Sequence, residues 1–209
     1  MLTLSCPSCG ANVDFKSKAS LFAVCSFCKS SLVRQDMDLE KIGTISELVD
    51  DMTPIQIGTT GMFSNEKFEV IGRLKVGYQD GYWNEWFAIL GDGRVAWLAE
   101  AQGFYAFCYP FFDVQPPTRA SLVVGRTVDF GKKGIYEVDD IRDCKCVYSE
   151  GELPFNAQQG RASTSVDLSG FEDEMATIEY AATETRVFLG AYQDFDAFQF
   201  KNLRHIDGW

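Results

Sequence analysis

The chain has 209 residues, 46% of them hydrophobic and 14% aromatic, which supplies a real core and excludes an intrinsically disordered protein. Its formal net charge of -11 argues against nucleic acid as a partner of the main body, because phosphate binding depends on clustered Lys and Arg. No run of about 18 apolar residues occurs and the opening MLTLSCPSCG has no basic and apolar signal regions, so no membrane span, no secretory signal and a cytoplasmic protein are expected.

Charge is unevenly spread. Residues 1–34 carry Lys16, Lys18, Lys29 and Arg34 against Asp14 alone, a net of +3, which leaves the remainder at −14. Within that basic stretch, "CPSCG" and "CSFCK" place Cys6 and Cys9, then Cys25 and Cys28, as two Cys-x-x-Cys pairs with fifteen residues between them. Each pair makes a tight turn whose backbone N–H groups can reach the thiolates, and two such turns supply four soft ligands in a tetrahedron. Gly10 follows the second ligand, where the first turn needs positive φ. Val13 and Phe15 alternate along one short strand, Leu21 and Ala23 along another, and "SSLVR" offers a third. These features predict a zinc ribbon whose Zn2+ is structural, since all four positions are filled by protein; iron in a rubredoxin-like site uses the same four sulfurs.

From Asp36 to Thr53 the chain is polar and acidic, with Leu39, Ile42, Ile45 and Leu48 at three-residue intervals, a spacing that predicts a short connecting helix weakened by Gly43 and Thr44. Beyond it the period becomes two. In "KFEVIGRLKVGY" the alternation places Phe68, Val70, Leu74, Val76 and Tyr78 on one face and Glu69, Arg73 and Lys75 on the other. "NEWFAIL" and "RVAWLAE" flank a Gly-Asp-Gly turn and read as a hairpin, and "QGFYAFCYPFF" gives a further strand before Pro116 and Pro117 break the chain. A second β-rich block looks like a copy of the first: the segment starting at Gly58 lies against that starting at Gly125, and "EWFAILGDGRVAWL" lies against "EYAATETRVFLGAY". The polar insertion "EGELPFNAQQGRASTS" reads as a mobile loop. The expected fold is mainly β: a zinc ribbon over residues 1–35, a connecting segment over 36–56, and a β-rich body of two related antiparallel subdomains over 57–115 and 118–209.

Catalytic patterns are scarce. The single histidine, His205, lies near the end of the chain, and no nucleophile elbow, phosphate loop or His-Glu-x-x-His pattern is present. Cys108 sits in an apolar run, and Cys144 and Cys146 share one side of a strand, so all three read as buried thiols. The candidate binding residues are Tyr82, Trp83, Glu85, Trp97 and Glu100, aromatics and carboxylates around one hairpin that could hold a cation through its π faces. In a strand, Trp83 and Glu85 share one face while Asn84 and Trp86 share the other, and Trp86 reads as core.

"LSCPSCGA", "FAVCSFCKSSLVR", "FEVIGRL", "GYWNEWF", "WLAEAQG" and "VFLGAYQDFDAFQFKNLR", in this order, resemble a bacterial family catalogued as domain of unknown function 4178. The resemblance implies a β-rich protein with an N-terminal ribbon, encoded near genes for polyamine synthesis and small membrane proteins, and implies no catalytic residues. The expected function is a non-enzymatic binding or adaptor protein, docking a protein partner or a polyamine-like cation through the aromatic and acidic hairpin. The alternative is an enzyme of unfamiliar type using carboxylates of that hairpin, Glu85 or Glu100.

Overall fold

The computed structural model describes residues 1–45 and 52–206. It is mainly β. The N-terminal part consists of β1 (Leu2–Ser5) and β2 (Asn12–Phe15), which pair with each other, followed by β3 (Phe22–Val24), β4 (Ser30–Gln35) and β5 (Asp38–Thr44), paired in that order. Leu4, Val13, Phe15, Ala23 and Leu32 turn inward onto Cys6 and Cys25 and make a small core. Phe22 points the other way, and Leu21, expected beside Ala23, precedes the strand and is exposed.

The connecting helix is not formed over 38–44, where β5 continues the ribbon; Leu48 lies outside the described residues. The three-residue spacing has a different origin. A β-bulge lets Gly43 pair with Ser31 and Lys41 with Leu32, so Ile42 is the extra residue and the facing pattern shifts at that point. Leu39 therefore packs into the ribbon core, whereas Ile42 and Ile45 face the body.

The body holds β6 (Thr60–Phe63), β7 (Glu66–Tyr78), β8 (Gly81–Leu90), β9 (Val95–Ala101) and β10 (Phe104–Pro110), then β11 (Thr127–Asp129), β12 (Ile135–Leu153), β13 (Ala162–Ser169), β14 (Glu174–Ala181) and β15 (Thr185–Tyr192). β7–β10 form one antiparallel meander and β12–β15 another. β10 pairs with β15, and β12 pairs with β7 from Lys145 to Gly151. The eight strands therefore close into an antiparallel barrel, which leaves no free edge among them. At this strand number the interior is just wide enough to be filled by side chains or to keep one small cavity.

Alternation sets what faces in. Leu74, Val76, Phe87, Trp97, Cys108, Cys144, Cys146, Met175 and Phe188 belong to the interior core. The outer faces are also apolar and are covered by straps. Ile55, Phe195, Phe198, Phe200 and Leu203 pack over Val70, Trp86, Leu98 and Phe107 of the first meander. Phe111, Val114, Leu122, Val128 and Phe130 pack over Val138, Val166, Leu168 and Ile178 of the second. The face predicted for β7 is thus split: a bulge between Val70 and Gly72 sends Phe68 and Val70 outward but Leu74 and Val76 inward. Arg73 and Lys75, expected on a polar face, are outward yet buried.

The two halves correspond strand for strand. Gly58 N–H donates to the carbonyl of Val70 (2.8 Å), whose own N–H donates to that of Thr59 (2.8 Å), and Gly125, Val138 and Arg126 repeat the pair at 2.8 and 2.9 Å. Both glycines have positive φ, +86° and +82°, and a bulge follows Val138 as it follows Val70. This places β7–β10 on β12–β15 and confirms the alignment of Gly58 with Gly125. The second alignment read from the sequence laid β8–β9 on β14–β15; it is one strand out of step, because one Arg-Val hairpin resembles another locally.

The ribbon is fixed to one end of the barrel. β3 pairs with the end of β12 at Ala23↔Glu152 and Phe22↔Leu153. The buried Glu152 carboxylate accepts the N–H groups of Lys16 (2.8 Å) and Ser17 (3.2 Å). Gly72 and Gly151 pair where β12 leaves the barrel; a Cβ on Gly72 would lie 1.9 Å from the Glu152 carbonyl oxygen, so only glycine permits the approach. The segment expected as a mobile loop instead extends β12 to Leu153 and then turns inward over 154–161, burying Phe155 and Ala157 in the interior core beside Phe22 and Ile45. Those four residues form the floor of the barrel.

Candidate functional site

Two sites emerge, a four-cysteine centre in the ribbon and a cavity in the barrel. In the first, two equivalent turns present the sulfurs. Gly10 N–H donates to the Cys6 carbonyl (2.9 Å) and Cys6 N–H to that of Ala11 (2.8 Å); Lys29 and Ser30 repeat this around Cys25, both at 3.0 Å. Gly10 and Lys29 take the matching positive φ values of 75° and 57°. All four sulfurs lie within 4.8 Å of one another, with Cys6–Cys28 at 3.7 Å and Cys9–Cys25 at 3.8 Å. A tetrahedron with metal–sulfur bonds of about 2.3 Å has edges of about 3.8 Å, so the cluster could hold a metal ion. The Cys9 and Cys28 thiols titrate together: contacts with Ser30 lower Cys28 to about 6, while Cys9 in the same cluster is raised to about 12.

The second site is a cavity of about 50 Å³ inside the barrel, room for a few waters or a small group. Its lining is apolar at Leu74, Val76, Trp97, Met175 and Phe188 and polar at Glu85, Arg161, Ser163, Ser165, Thr177 and Glu179. Trp83 Nε1 donates to Glu85 Oε1 at 3.0 Å. Burial pushes the Glu85 carboxyl up to about 7, the negative charge of Glu179 adds to the shift, and the Trp83 hydrogen bond opposes it. Asp167 is also raised by burial, against hydrogen bonds from the Thr177 (3.1 Å) and Ser165 (3.2 Å) hydroxyls. Glu179 is held by Arg161 (2.7 Å) and Arg186 together, and Arg161 also reaches Glu184 at 3.2 Å. Phe155 lies under both guanidiniums, 4.6 Å from Arg161 and 3.5 Å from Arg186, and joins them to the floor. Burial raises the Cys144 and Cys146 thiols to about 12 and Cys108 further still, so these three are inert at neutral pH.

The candidate binding residues are divided by the sheet. Trp83, Glu85 and Trp97 line the cavity. Glu100 is on the outer face, buried, and accepts from Thr53 Oγ1 (2.7 Å), Trp86 Nε1 (2.9 Å) and Asn84 Nδ2 (3.1 Å). The register explains the division: Glu85 pairs with Ala99, so Glu100 belongs to the face of Asn84 and Trp86. Tyr82 is exposed, and its ring carries the Lys75 ammonium at 3.6 Å. His205 is exposed near the end of the described chain. Sequence reading missed Asp167, Thr177, Ser165 and Arg161. The alternation of "TSVDLS" was visible, but a polar stripe ordinarily marks the solvent face, and here the apolar stripe is the one turned outward beneath a strap.

Fold and sites together define a closed β-barrel with an interior cavity, one end covered by a four-cysteine ribbon. The profile of a family described as a domain of unknown function, DUF4178, matches residues 56–195, and the chain belongs to that family. The match spans the barrel and leaves the ribbon outside it. No curated protein and no solved structure matches the chain. No helix among the described residues is long and apolar enough to cross a membrane.

Proposed function

We propose that the protein is a non-enzymatic binding module whose barrel takes a small amine cation, of which a polyamine-like molecule is one example. The observation that carries this reading is that Glu85, in the cavity lining, and Asp167, held behind the lining hydroxyls of Ser165 and Thr177, have no ion-pair partner among the described residues, whereas Glu179 is matched by two arginines. A buried carboxylate without a counterion is costly, and an ammonium group seated between the two supplies it. Trp83 and Trp97 offer π faces to the same cation, and the apolar lining accepts its methylenes. In the ribbon we assign a structural zinc ion to Cys6, Cys9, Cys25 and Cys28, on the thiolate donor set and the sulfur spacing.

Native mass spectrometry with elemental analysis tests both assignments. The expected result is one zinc per chain and one adduct of a short alkylamine such as butylamine, the adduct lost in Glu85→Gln and weakened in Trp83→Ala, with both variants folded. A full-length, folded chain that takes up no amine would overturn the reading. A second reading, catalysis with Glu85 as general acid or base, is favoured by a carboxyl poised near neutrality in a cavity. It requires a bound amine to change mass on incubation and Glu85→Gln to stop the change. Glu100, on the other face, has no part in it.

A further inference from the structure

We infer that the ligand of the barrel is a zwitterion of amino-acid type, a protonated amine and a carboxylate on one short apolar body. The inference rests on the barrel being a ligand cavity and adds a second pole to it. The acceptor pole is Glu85 with Asp167. Glu85 Oε1 takes the Trp83 indole N–H and Asp167 Oδ1 takes two hydroxyls, while Glu85 Oε2 and Asp167 Oδ2 receive no donor from the described residues.

The donor pole is the Arg161 guanidinium. Arg161 lines the cavity and commits Nη1 to Glu179 and Nη2 to Glu184, which leaves three of its five N–H donors without an acceptor among the described residues. Arg186 lies behind it, outside the cavity lining, gives Nη2 to the same Glu179, and has its buried Nε 4.0 Å from Glu184 Oε1, beyond hydrogen-bond reach. The unclaimed donors that reach the cavity are therefore those of Arg161. The acceptor that a guanidinium fork fits best is a carboxylate.

The two poles set the ligand class. A diamine would bring a second donor to guanidinium N–H groups that cannot accept, and a dicarboxylate would add charge beside Glu85 and Glu179. An amine at Glu85 and a carboxylate at Arg161 satisfies both, with Ser163 and Thr177 available to hydrogen-bond between them. Leu74 and Val76 of β7 and Met175 and Phe188 of β14 and β15 give apolar lining for the intervening carbons, and the cavity volume of about 50 Å³ restricts them to a few.

Titration of the full chain, followed by tryptophan fluorescence, tests this with matched probes: α- and ω-amino acids of two to six carbons against alkylamines and α,ω-diamines of the same lengths. The best amino acid should bind at least tenfold tighter than the amine and the diamine of its length. Arg161→Lys, which keeps the charge and loses the fork, should reduce that preference, while Glu85→Gln should weaken amino acids and amines alike. If amines bind as tightly as amino acids, the zwitterion is wrong and the amine-binding cavity stands. If none of the probes binds, both fall.

Discussion

Glu85 illustrates how one position on a strand decides a side chain's chemistry. Its carboxyl titrates near 7 in the fold because burial disfavours the charged form, against an ordinary value of 4.5. Between these values the fold binds more protons than the unfolded chain, so the stabilising contribution is full below 4.5 and is lost as pH rises through 7. The melting temperature should therefore fall from about pH 5 to about pH 8 more steeply in the wild type than in Glu85→Gln, which cannot ionise. Parallel curves for the two would show that burial does not control this carboxyl. The common face of Trp83 and Glu85 was legible from alternation alone. The separation of Glu100 was not, because it depends on the pairing of Glu85 with Ala99, which a single strand does not encode.

The ribbon's knuckles are local objects, and so they were legible: two residues between ligands dictate the turn, and Gly10 marks its exit. β5 was not, since a bulge at Ile42 imitates helical spacing over seven residues. The consequence is energetic. Phe22 is fully buried and belongs to the barrel's interior core together with Ile45 and Phe155, so the ribbon and the floor share one set of contacts. Structural metal binding is worth about 10–16 kcal/mol in small ribbons, and its loss should reach beyond the ribbon. Chelation is expected to lower the melting temperature of the entire chain in a single transition and to change the near-ultraviolet signal of Trp97, which stacks on Phe155 at 5.9 Å. A separate low-temperature transition with an unchanged barrel signal would mean that the floor does not depend on a metal in the ribbon.

At the scale of the molecule, the two contacts that close the barrel join distant residues: Val76 with Cys146, and Cys108 with Gly190. No local pattern announces such pairings, which is why strands and an internal repeat were readable while closure and the interior cavity were not. The repeat also arranges the covers: the first meander's outer face is sealed by Phe195, Phe198, Phe200 and Leu203, the segment that follows the second meander. A chain stopped after Gln193 should leave Trp86, Leu98 and Phe107 bare and be recovered insoluble or dye-binding, although all eight barrel strands are present. Equal solubility of the shortened chain would show that the seal is dispensable. Synthesis runs from the first meander to its seal, so the earliest part of the barrel to be made is the last to be sheathed. An interrupted translation product therefore carries its own mark of incompleteness, a greasy panel that chaperones and proteases recognise, and only a chain read through residue 203 erases it.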